Sequence, residues 1–405
     1  MTNTVIGAIR NLQGCALLRA TAGLAALTVV CGVSYSPNIA AQTLDDARNK
    51  GLAWLIANQR NDGSWAAKPE SAIATTATAV QAFKQAGIKP TSYPYASGLT
   101  WLMNAKPESV DSMARQVAAF PVGGPNVDQK FTSLSGAANS VGTWGSYAGF
   151  DTGYPDTPLV LAAMRTFGLS WSSLQFAVYC EILPSQVAGG GWTYFNPRSS
   201  GGPAANAAAI VPSAYNVIEL KAINAGQGWD SNTCPSGTGA PASIVSAING
   251  GRAFLLTKRN ADGGFGQGGV STVIDTALVY AALRSLDPMD SYAAAALTFL
   301  LSRQDSSSTA SRGSWNADPF QTALVLSVIP APATPLADTD QDGIPDSVEL
   351  ALGKNPNVAD SRSLAIGGGS NTIGLNVGSQ FSAQMMQFVA FSRTLTASGG
   401  ASPYS

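Results

Sequence analysis

The chain has 405 residues, of which 45% are hydrophobic and 12% are charged, and its formal net charge at pH 7 is −1. A nearly neutral chain has no global field that attracts nucleic acid or anionic lipid, so we expect neither as a partner. Histidine is absent, which excludes Ser-His-Asp triads, Cys-His pairs and zinc sites with a histidine ligand.

The N-terminus has the features of an export signal. Arg10 and Arg19 supply positive charge, the run 21–33 is mostly apolar, and small residues at 39–41 offer a cleavage site. The apolar run is shorter than the roughly 20 residues that span a bilayer, so cleavage is favoured over anchoring. We expect residues 1–41 to be a signal peptide, the mature chain to lack a transmembrane helix, and the protein to be secreted, periplasmic or exposed at the cell surface.

Two of the four cysteines, Cys15 and Cys31, lie in this signal, which leaves Cys180 and Cys234. An exported protein meets an oxidising compartment, so a disulfide between the remaining two is favoured. It would close a loop worth about 4 kcal/mol in the chain-entropy description. The alternative is two free thiols.

One pattern recurs over residues 44–330: an apolar helical segment, a turn with glycine before an aromatic residue, and a second apolar helix. The aromatic residues of these turns are Trp65, Trp144, Trp192, Phe265 and Trp315. Two of the steps between them are close to the length of one helical hairpin with its loops. The two longer steps hold a loop insertion or an unmarked hairpin. A hairpin alone exposes an apolar face, so the hairpins must stack.

The first of these turns, Gln59 followed by Asp62-Gly63-Ser64-Trp65, resembles the repeat of the squalene cyclase and prenyltransferase superfamily. The resemblance covers about residues 44–330. It implies a mainly α fold, an α/α toroid in which inner and outer rings of helices surround a central cavity. It also implies that the turn glutamine and tryptophan join adjacent helices and have no catalytic role.

The segments after the repeats differ in composition from them. Prolines at 330, 332 and 335 predict a stiff linker over 331–337, which we expect to separate the toroid from the C-terminal segments. From 370 to 405 apolar residues alternate with Gly and Ser, which predicts a short β-rich tail. Residues 391–405 resemble the opening strands of bacterial immunoglobulin-like domains. One hairpin is too small for a sandwich, so we interpret the tail as part of a truncated domain.

An acidic loop between the linker and the tail is the strongest chemical signal. Counted from Asp338, carboxylates occupy the first, third, fifth, ninth and twelfth positions of the loop, and glycine the sixth. This is the ligand spacing of an EF-hand calcium site, in which the seventh position offers a backbone carbonyl. The predicted ligands of Ca²⁺ are Asp338, Asp340, Asp342, Ile344, Asp346 and Glu349. The alternative is a solvated acidic linker.

The loop also carries a proline, Pro345, which is rare in a helical EF-hand. The run Asp-Gly-Ile-Pro-Asp at 342–346 resembles the thrombospondin type 3 repeat instead, and the resemblance covers roughly residues 338–360. It implies a calcium-stabilised spacer in an extracellular protein.

The catalytic motifs of the resembling families are broken or missing. The Asp-x-Asp-Asp-Thr-Ala motif of squalene–hopene cyclases corresponds to residues 272–277, where Thr272 and Ile274 replace the first and the proton-donating aspartates. Isoleucine cannot donate a proton, so we interpret the remaining Asp275 as a capping or hydrogen-bonded residue. The prenyltransferase zinc site needs a histidine, and the Gly-Cys-Gly-Glu-Gln thioester motif does not occur. The glycine-rich run 263–269 lacks the Lys-Ser/Thr end of a phosphate loop, and we interpret it as a turn.

Paired carboxylates for sugar chemistry remain open, because spacing alone cannot bring two of them together. The candidates are Asp151, Asp156, Glu219, Asp230 and Asp275, and a surface or capping role is favoured for each. No catalytic residue can be assigned from the motifs.

The sequence therefore favours an exported calcium-binding protein. Its toroid would be a non-catalytic binding or structural module for a cell-surface glycan or protein, and the calcium loop would stiffen the junction between the toroid and adhesion domains. Two alternatives remain: a toroid-cavity enzyme acting on a glycan or terpenoid, and a toroid that holds a small ligand.

Overall fold

A computed structural model of the protein describes residues 43–66, 69–121, 126–168, 177–197, 207–224, 243–360, 362–366 and 373–377. The expected signal peptide, Asp230, Cys234 and the tail beyond residue 377 lie outside these residues.

The described part is predominantly helical. Its α-helices are α1 (Leu44–Ala57), α2 (Pro69–Ala86), α3 (Tyr93–Asn104), α4 (Val110–Ala119), α5 (Val127–Gly136), α6 (Asp156–Thr166), α7 (Ile210–Asn224), α8 (Ile244–Leu256), α9 (Val273–Leu286), α10 (Ser291–Ser302), α11 (Pro319–Val328) and α12 (Asp346–Leu352). A π-helical turn, Ala177–Ile182, and a 3₁₀ turn, Leu183–Ser185, precede α7.

Six of the helices form a closed inner ring. Around the ring, α2 packs on α4, α4 on α6, α6 on α7, α7 on α9, α9 on α11, and α11 on α2 again. The helices α1, α3, α5, α8 and α10 alternate with them in the chain and pack on the outside of the ring. The α/α toroid expected from the sequence is confirmed. The long step between Trp65 and Trp144 contains an unmarked hairpin, α3 with α4.

The tryptophan turns bind the helical segment before them to the inner helix that comes next in the chain. Trp65 is buried, and its Nε1 donates a hydrogen bond to the carbonyl oxygen of Leu55, at 2.7 Å. Its backbone N–H donates to the hydroxyl of Thr76 on α2, at 3.4 Å. The same two bonds, with a Thr or Ser hydroxyl as acceptor, recur at Trp144, Trp192 and Trp315.

The turn glutamine reaches the next hairpin. Gln59 Nε2 donates to the carbonyl oxygen of Gly63, at 2.9 Å, and to that of Pro94 on α3, at 2.8 Å. Gly63 itself has a φ of 96°, and a Cβ there would lie 2.4 Å from the carbonyl oxygen of Ser97. Only glycine fits both the backbone conformation and this close approach.

The segment after the linker contacts the toroid directly, which differs from the separation expected from the sequence. Helix α12 packs on α1. The backbone N–H of Lys89, between α2 and α3, donates to the carbonyl oxygen of Gly343, at 3.0 Å. The ammonium group of Lys89 forms an ion pair with Asp338, at 2.6 Å. At the start of the linker, Arg48 Nη2 donates to the carbonyl oxygen of Pro330, at 2.7 Å.

Two strands come after α12, β1 (Arg362–Ile366) and β2 (Ile373–Val377), which pair antiparallel with Leu364 opposite Leu375. Cys180 is buried and disulfide-bonded. Within the described ranges, no helix has both the length and the apolar character needed to cross a membrane.

Candidate functional site

One face of the toroid, which we call the mouth, collects the N-terminal ends of the inner helices. Counting only side chains that the structure describes, acidic residues occupy the first turns of three of them: Asp111 in α4, Asp156 in α6 and Asp275 in α9. Carboxylates are favoured there because the amide groups at a helix N-terminus carry partial positive charge. The closed ring brings these residues, which are far apart in the chain, to the same opening.

A cavity of about 430 Å³ lies inside the ring. Arg115 on α4 and Tyr215 on α7 line it near the mouth. Much of the remaining wall is aliphatic, including Ala118, Leu159, Ile218, Leu278 and Leu324. The wall also includes Gln81, Lys84 and Gln85 of α2, so the interior is mainly aliphatic with polar groups at Arg115 and along α2.

Arg115 organises the mouth. Its Nε donates to both carboxylate oxygens of Asp111, at 3.0 and 2.9 Å, and its Nη2 donates to the hydroxyl of Tyr215, at 3.0 Å. Its guanidinium carbon lies 5.9 Å from the ring centroids of both Tyr215 and Phe320. Burial lowers the pKa of Arg115, but its contacts with Tyr215 and Asp111 more than reverse this, so its pKa is raised. The guanidinium is therefore a fixed positive charge that orients Asp111.

Asp156 is the most perturbed carboxyl at the mouth. Its side chain is 6% exposed, and the hydroxyl of Ser146 lies 3.4 Å from its Oδ2. Burial, and then the negative charge of Asp111, raise the pKa of Asp156 to about 6. A carboxyl with this pKa holds its proton into the range where an enzyme uses a general acid.

Asp275 lies on the far side of the same opening. It is half-buried, and burial raises its pKa. Thr272 caps α9: its hydroxyl accepts from the backbone N–H of Asp275, at 3.0 Å, and donates to the Asp275 carboxylate, at 2.9 Å. Tyr194, on the loop before α7, has its pKa raised by burial and then by the charges of Asp275 and Tyr215. The hydroxyl of Tyr194 therefore lies near both Asp275 and Tyr215.

The other carboxylates singled out in the sequence lie elsewhere. Asp151 is exposed. Glu219 is buried and forms a two-pronged ion pair with Arg165 of the neighbouring inner helix, with both N–O distances at 3.1 Å. Asp230 lies outside the described residues. Asp111 and Arg115 were missed by sequence reasoning, although an Asp four residues before an Arg at a helix start is a detectable ion-pair spacing.

The acidic loop forms a second, separate cluster of carboxylates. Two overlapping groups bring their oxygens within 4.8 Å of one another, Asp338 with Asp340 and Asp342, and Asp342 with Glu349 and Asp360. Asp346 is not in either group, because its oxygens accept from the backbone N–H and the hydroxyl of Thr339, both at 2.7 Å. Ile344 is buried, and its N–H donates to Asp342 Oδ1, at 2.7 Å.

The surroundings of the Glu349 carboxylate bear on whether this cluster fits a cation. It is fully buried, and within the described part of the chain neither of its carboxylate oxygens has a hydrogen-bond partner. Asp338, Asp340 and Asp360 each have one buried oxygen in the same condition. Burial, and then the charges of Asp340 and Asp342, raise the pKa of Glu349 to about 7. Unpaired buried carboxylates are costly, and hard oxygens are the ligands that Ca²⁺ prefers, so these residues fit a calcium ion.

Comparison with known proteins finds relatives by structure alone. No family model matches the chain, and no curated protein matches it. Among solved structures, a possible member of the GH105 family from Salmonella enterica is 11% identical, with a TM-score of 0.50 over 72% of this chain and 93% of that chain. The type II terpene cyclase MstE from Scytonema is 14% identical, with a TM-score of 0.48 over 70% and 96%. The ent-copalyl diphosphate synthase from Streptomyces platensis is 16% identical, with a TM-score of 0.42 over 63% and 49%. At these identities the likeness shows the fold alone.

The preference for a non-catalytic toroid is corrected by these findings. The matched structures are described as terpene cyclases and a possible glycoside hydrolase family member. The preference rested on contiguous motifs that are broken here, such as Ile274 at the position of the cyclase acid. In a toroid the carboxylates of a site come from different helices, as Asp111 and Asp156 do, so a broken motif does not remove the acid. The alternative given by the sequence, a toroid-cavity enzyme, is therefore the one developed as a proposal below.

Proposed function

We propose that the toroid is an enzyme in which Asp156 acts as general acid on a substrate bound at the mouth, in the class of a glycan or a terpenoid. The observation that carries the proposal is the buried carboxyl of Asp156, whose pKa is raised to about 6 by burial and by the charge of Asp111. Asp111 in turn is bonded to Arg115, which lines the cavity.

The two carboxyl groups have different surroundings and so suit different roles. Asp156 is buried and keeps its proton up to about pH 6, and it can give this proton to a substrate oxygen or carbon. Asp111 is clamped by Arg115 and can accept a proton from water or from the substrate. In each turnover Asp156 loses one proton and Asp111 gains one. Proton exchange with solvent then returns both carboxyl groups to their starting states. Two titratable groups in contrasting environments are the usual arrangement of acid and base.

The test compares single aspartate substitutions on a panel of neutral oligosaccharides and prenyl alcohols. Asp156→Asn should lower kcat/KM by about 10²- to 10⁴-fold, the usual contribution of a general acid. Asp128→Asn, an exposed aspartate of the outer helix α5, is the control and should leave kcat/KM unchanged. Loss of turnover in Asp275→Asn with full activity in Asp156→Asn would move the acid to Asp275.

We also propose that residues 338–360 bind calcium, as the segment's resemblance to a thrombospondin type 3 repeat implies. The ligands would be the carboxylates of Asp338, Asp340, Asp342, Glu349 and Asp360, with the carbonyl of Ile344. Support comes from Glu349, whose two buried oxygens lack hydrogen-bond partners in the described structure. We place the protein outside the cytoplasm, where calcium is abundant, and expect a dissociation constant on the order of 10⁻⁴ to 10⁻³ M, as for extracellular modules.

A further inference from the structure

Four aromatic side chains are exposed on two loops at the rim of the mouth. Tyr147 is 49% exposed and Phe150 59% on the loop before α6, and Tyr194 is 45% exposed and Phe195 52% on the loop before α7. The rings of Tyr147 and Phe150 lie 5.4 Å apart, centroid to centroid. Single exposed apolar residues are ordinary, but a contiguous group of them marks an interaction surface. We call these four residues the aromatic rim.

The two loops are bonded to each other, so the aromatic rim is held in place before any ligand arrives. The backbone N–H of Tyr154 donates to the carbonyl oxygen of Tyr194, at 3.1 Å, and that of Asn196 donates to the carbonyl oxygen of Thr152, also at 3.1 Å. Gly153 and Phe195 form an antiparallel bridge between these bonds. A surface that is ordered beforehand loses less entropy when it binds.

The aromatic rim borders the proposed acid. Gly153, in the bridged part of the first loop, lies so close to Asp156 that a Cβ there would be 2.3 Å from its Oδ2. On the second loop, Tyr194 is near enough to Asp275 and Tyr215 for their charges to raise its pKa further, after burial. The loop that carries Tyr147 and Phe150 therefore also packs directly against the carboxyl of Asp156.

The charges at the mouth restrict the ligand. Among the described groups that act on one another there, Asp111, Asp156 and Asp275 are acidic, and the positive charge of Arg115 is already paired with Asp111. Phosphate, diphosphate and uronate groups would meet net negative charge. A neutral ligand would not.

The aromatic rings restrict the ligand further. About half of each residue is exposed to solvent, and two of the rings carry a hydroxyl. The ligand that matches such rings has an apolar face to stack on them and a polar edge that stays hydrogen-bonded. A sugar ring has both, with its C–H groups on one face and its hydroxyls at the edge. A purely apolar chain would leave the tyrosine hydroxyls and the surrounding water unmatched.

Resting on the proposed acid catalysis, we propose that the substrate is a neutral oligosaccharide that stacks on Tyr147, Phe150, Tyr194 and Phe195 and places the linkage to be protonated beside Asp156.

The experiment measures binding by isothermal titration in the Asp156→Asn background, so that no ligand is consumed. The probes are the hexaoses of cellulose, xylan, mannan, amylose and β-1,3-glucan, with hexagalacturonate and geranylgeraniol in detergent micelles as the charged and apolar comparisons. At least one neutral hexaose should bind, and Tyr147→Ala and Phe150→Ala should each weaken its binding at least tenfold. Met289→Ala is the matched control, because Met289 is 87% exposed and lies just after the C-terminal end of α9, opposite the mouth. It should leave binding unchanged.

The outcomes separate this inference from the proposed catalysis. Binding of hexagalacturonate or geranylgeraniol alone, or of no probe, overturns the neutral oligosaccharide. Neutral binding that is unaffected by both ring substitutions overturns the aromatic rim. If a neutral hexaose binds through the rings and the wild-type protein does not turn it over, the inference stands and the catalytic role of Asp156 fails. If turnover requires Asp156 but is unaffected by the ring substitutions, the catalytic role of Asp156 stands and the aromatic rim fails as the binding surface.

Discussion

Gln304 at the end of α10 donates its side-chain N–H to the carbonyl oxygen of Ala47 in α1, at 2.8 Å, across 257 residues of chain. The same amide donates to the carbonyl oxygen of Gly313 in its own turn, at 2.7 Å. Trp54 of α1 returns the contact, since its Nε1 donates to the carbonyl oxygen of Ala310, at 2.8 Å. The last turn therefore meets the first helix through the device that Gln59 uses between neighbouring hairpins, and this bonding closes the ring.

Removing this amide should destabilise the whole toroid. Gln304→Ala leaves two carbonyl oxygens without this donor, at a cost of about 1–3 kcal/mol each, so we expect a loss of about 2–6 kcal/mol. Urea unfolding followed by circular dichroism measures it. Gln129→Ala, at an exposed position of α5, is the control and should change stability by less than about 0.5 kcal/mol. Equal effects of the two substitutions would mean that ring closure does not depend on Gln304.

The turns could be predicted from the sequence because their roles are local and repeated. Trp65 bonds to the two helices that its own turn joins, and Gln59 bonds within the turn and to the next hairpin. Any stacked hairpin with this turn reproduces those contacts. Asp111 and Arg115 could not be found in this way, because the α3–α4 hairpin lacks the marked turn. Their proximity to Asp156 depends on the curvature of the ring, which no local spacing records.

The buried carboxyl of Asp156 should make stability depend on pH. Its pKa rises from 3.8 to about 6 on folding, so between these values the folded state binds more protons than the unfolded state. Stability therefore falls as pH rises from about 4 to about 6 and stays lower above that range. The full shift corresponds to about 3 kcal/mol. Thermal unfolding across pH 4–8 measures this contribution.

Asp156→Asn isolates this contribution, since asparagine does not ionise. The variant should lose the fall in stability between pH 4 and 6 and, above pH 6, be more stable than the wild type by up to about 3 kcal/mol. Asp151→Asn, exposed on the preceding loop, should keep the wild-type pH profile. If Asp156→Asn also keeps it, the carboxyl is ionised without penalty in the folded protein and is a poor general acid.

The calcium ligands can be separated by two substitutions of one residue type. Asp360→Asn should weaken calcium binding at least tenfold, because Asp360 lies in the carboxylate group with Asp342 and Glu349. Asp346→Asn should have a much smaller effect, because Thr339 holds its oxygens. Isothermal titration of the full chain measures both. A larger loss of calcium binding in Asp346→Asn than in Asp360→Asn would mean that the ligands follow the EF-hand spacing.

In the structure Asp360, and not Asp346, joins the carboxylate group, and the reason lies in Pro345. The spacing assigned the ninth position of the loop to Asp346, but Pro345 has an extended backbone and caps α12, which begins at Asp346. The first turn of α12 directs Asp346 to Thr339. Asp360 lies beyond the end of the helix, and its backbone N–H donates to Asp342 Oδ2, at 2.7 Å. Its approach depends on how the chain returns after α12, which the loop spacing does not encode.

Calcium should stabilise the toroid as well as the loop. The two are in contact through α12 on α1 and through Lys89, which bonds to Gly343 and Asp338. Unfolding of one therefore removes contacts of the other. With a dissociation constant of about 10⁻³ M, 10 mM calcium should add about 1.4 kcal/mol to the free energy of unfolding, and so raise the melting temperature by a few degrees. Magnesium should have a smaller effect, because it requires a tighter octahedron and gives up water reluctantly.

The measurement is thermal unfolding followed at the far-ultraviolet helix signal, which reports the toroid, with calcium or with chelator. Glu349→Gln should abolish the calcium-dependent shift, because it removes a carboxylate whose two buried oxygens lack other partners in the described structure. Asp128→Asn, exposed on α5, should retain the shift. If calcium binds with measurable heat but leaves the helix melting temperature unchanged, the loop unfolds independently of the toroid, and its contacts with α1 and Lys89 add nothing to the stability of the ring.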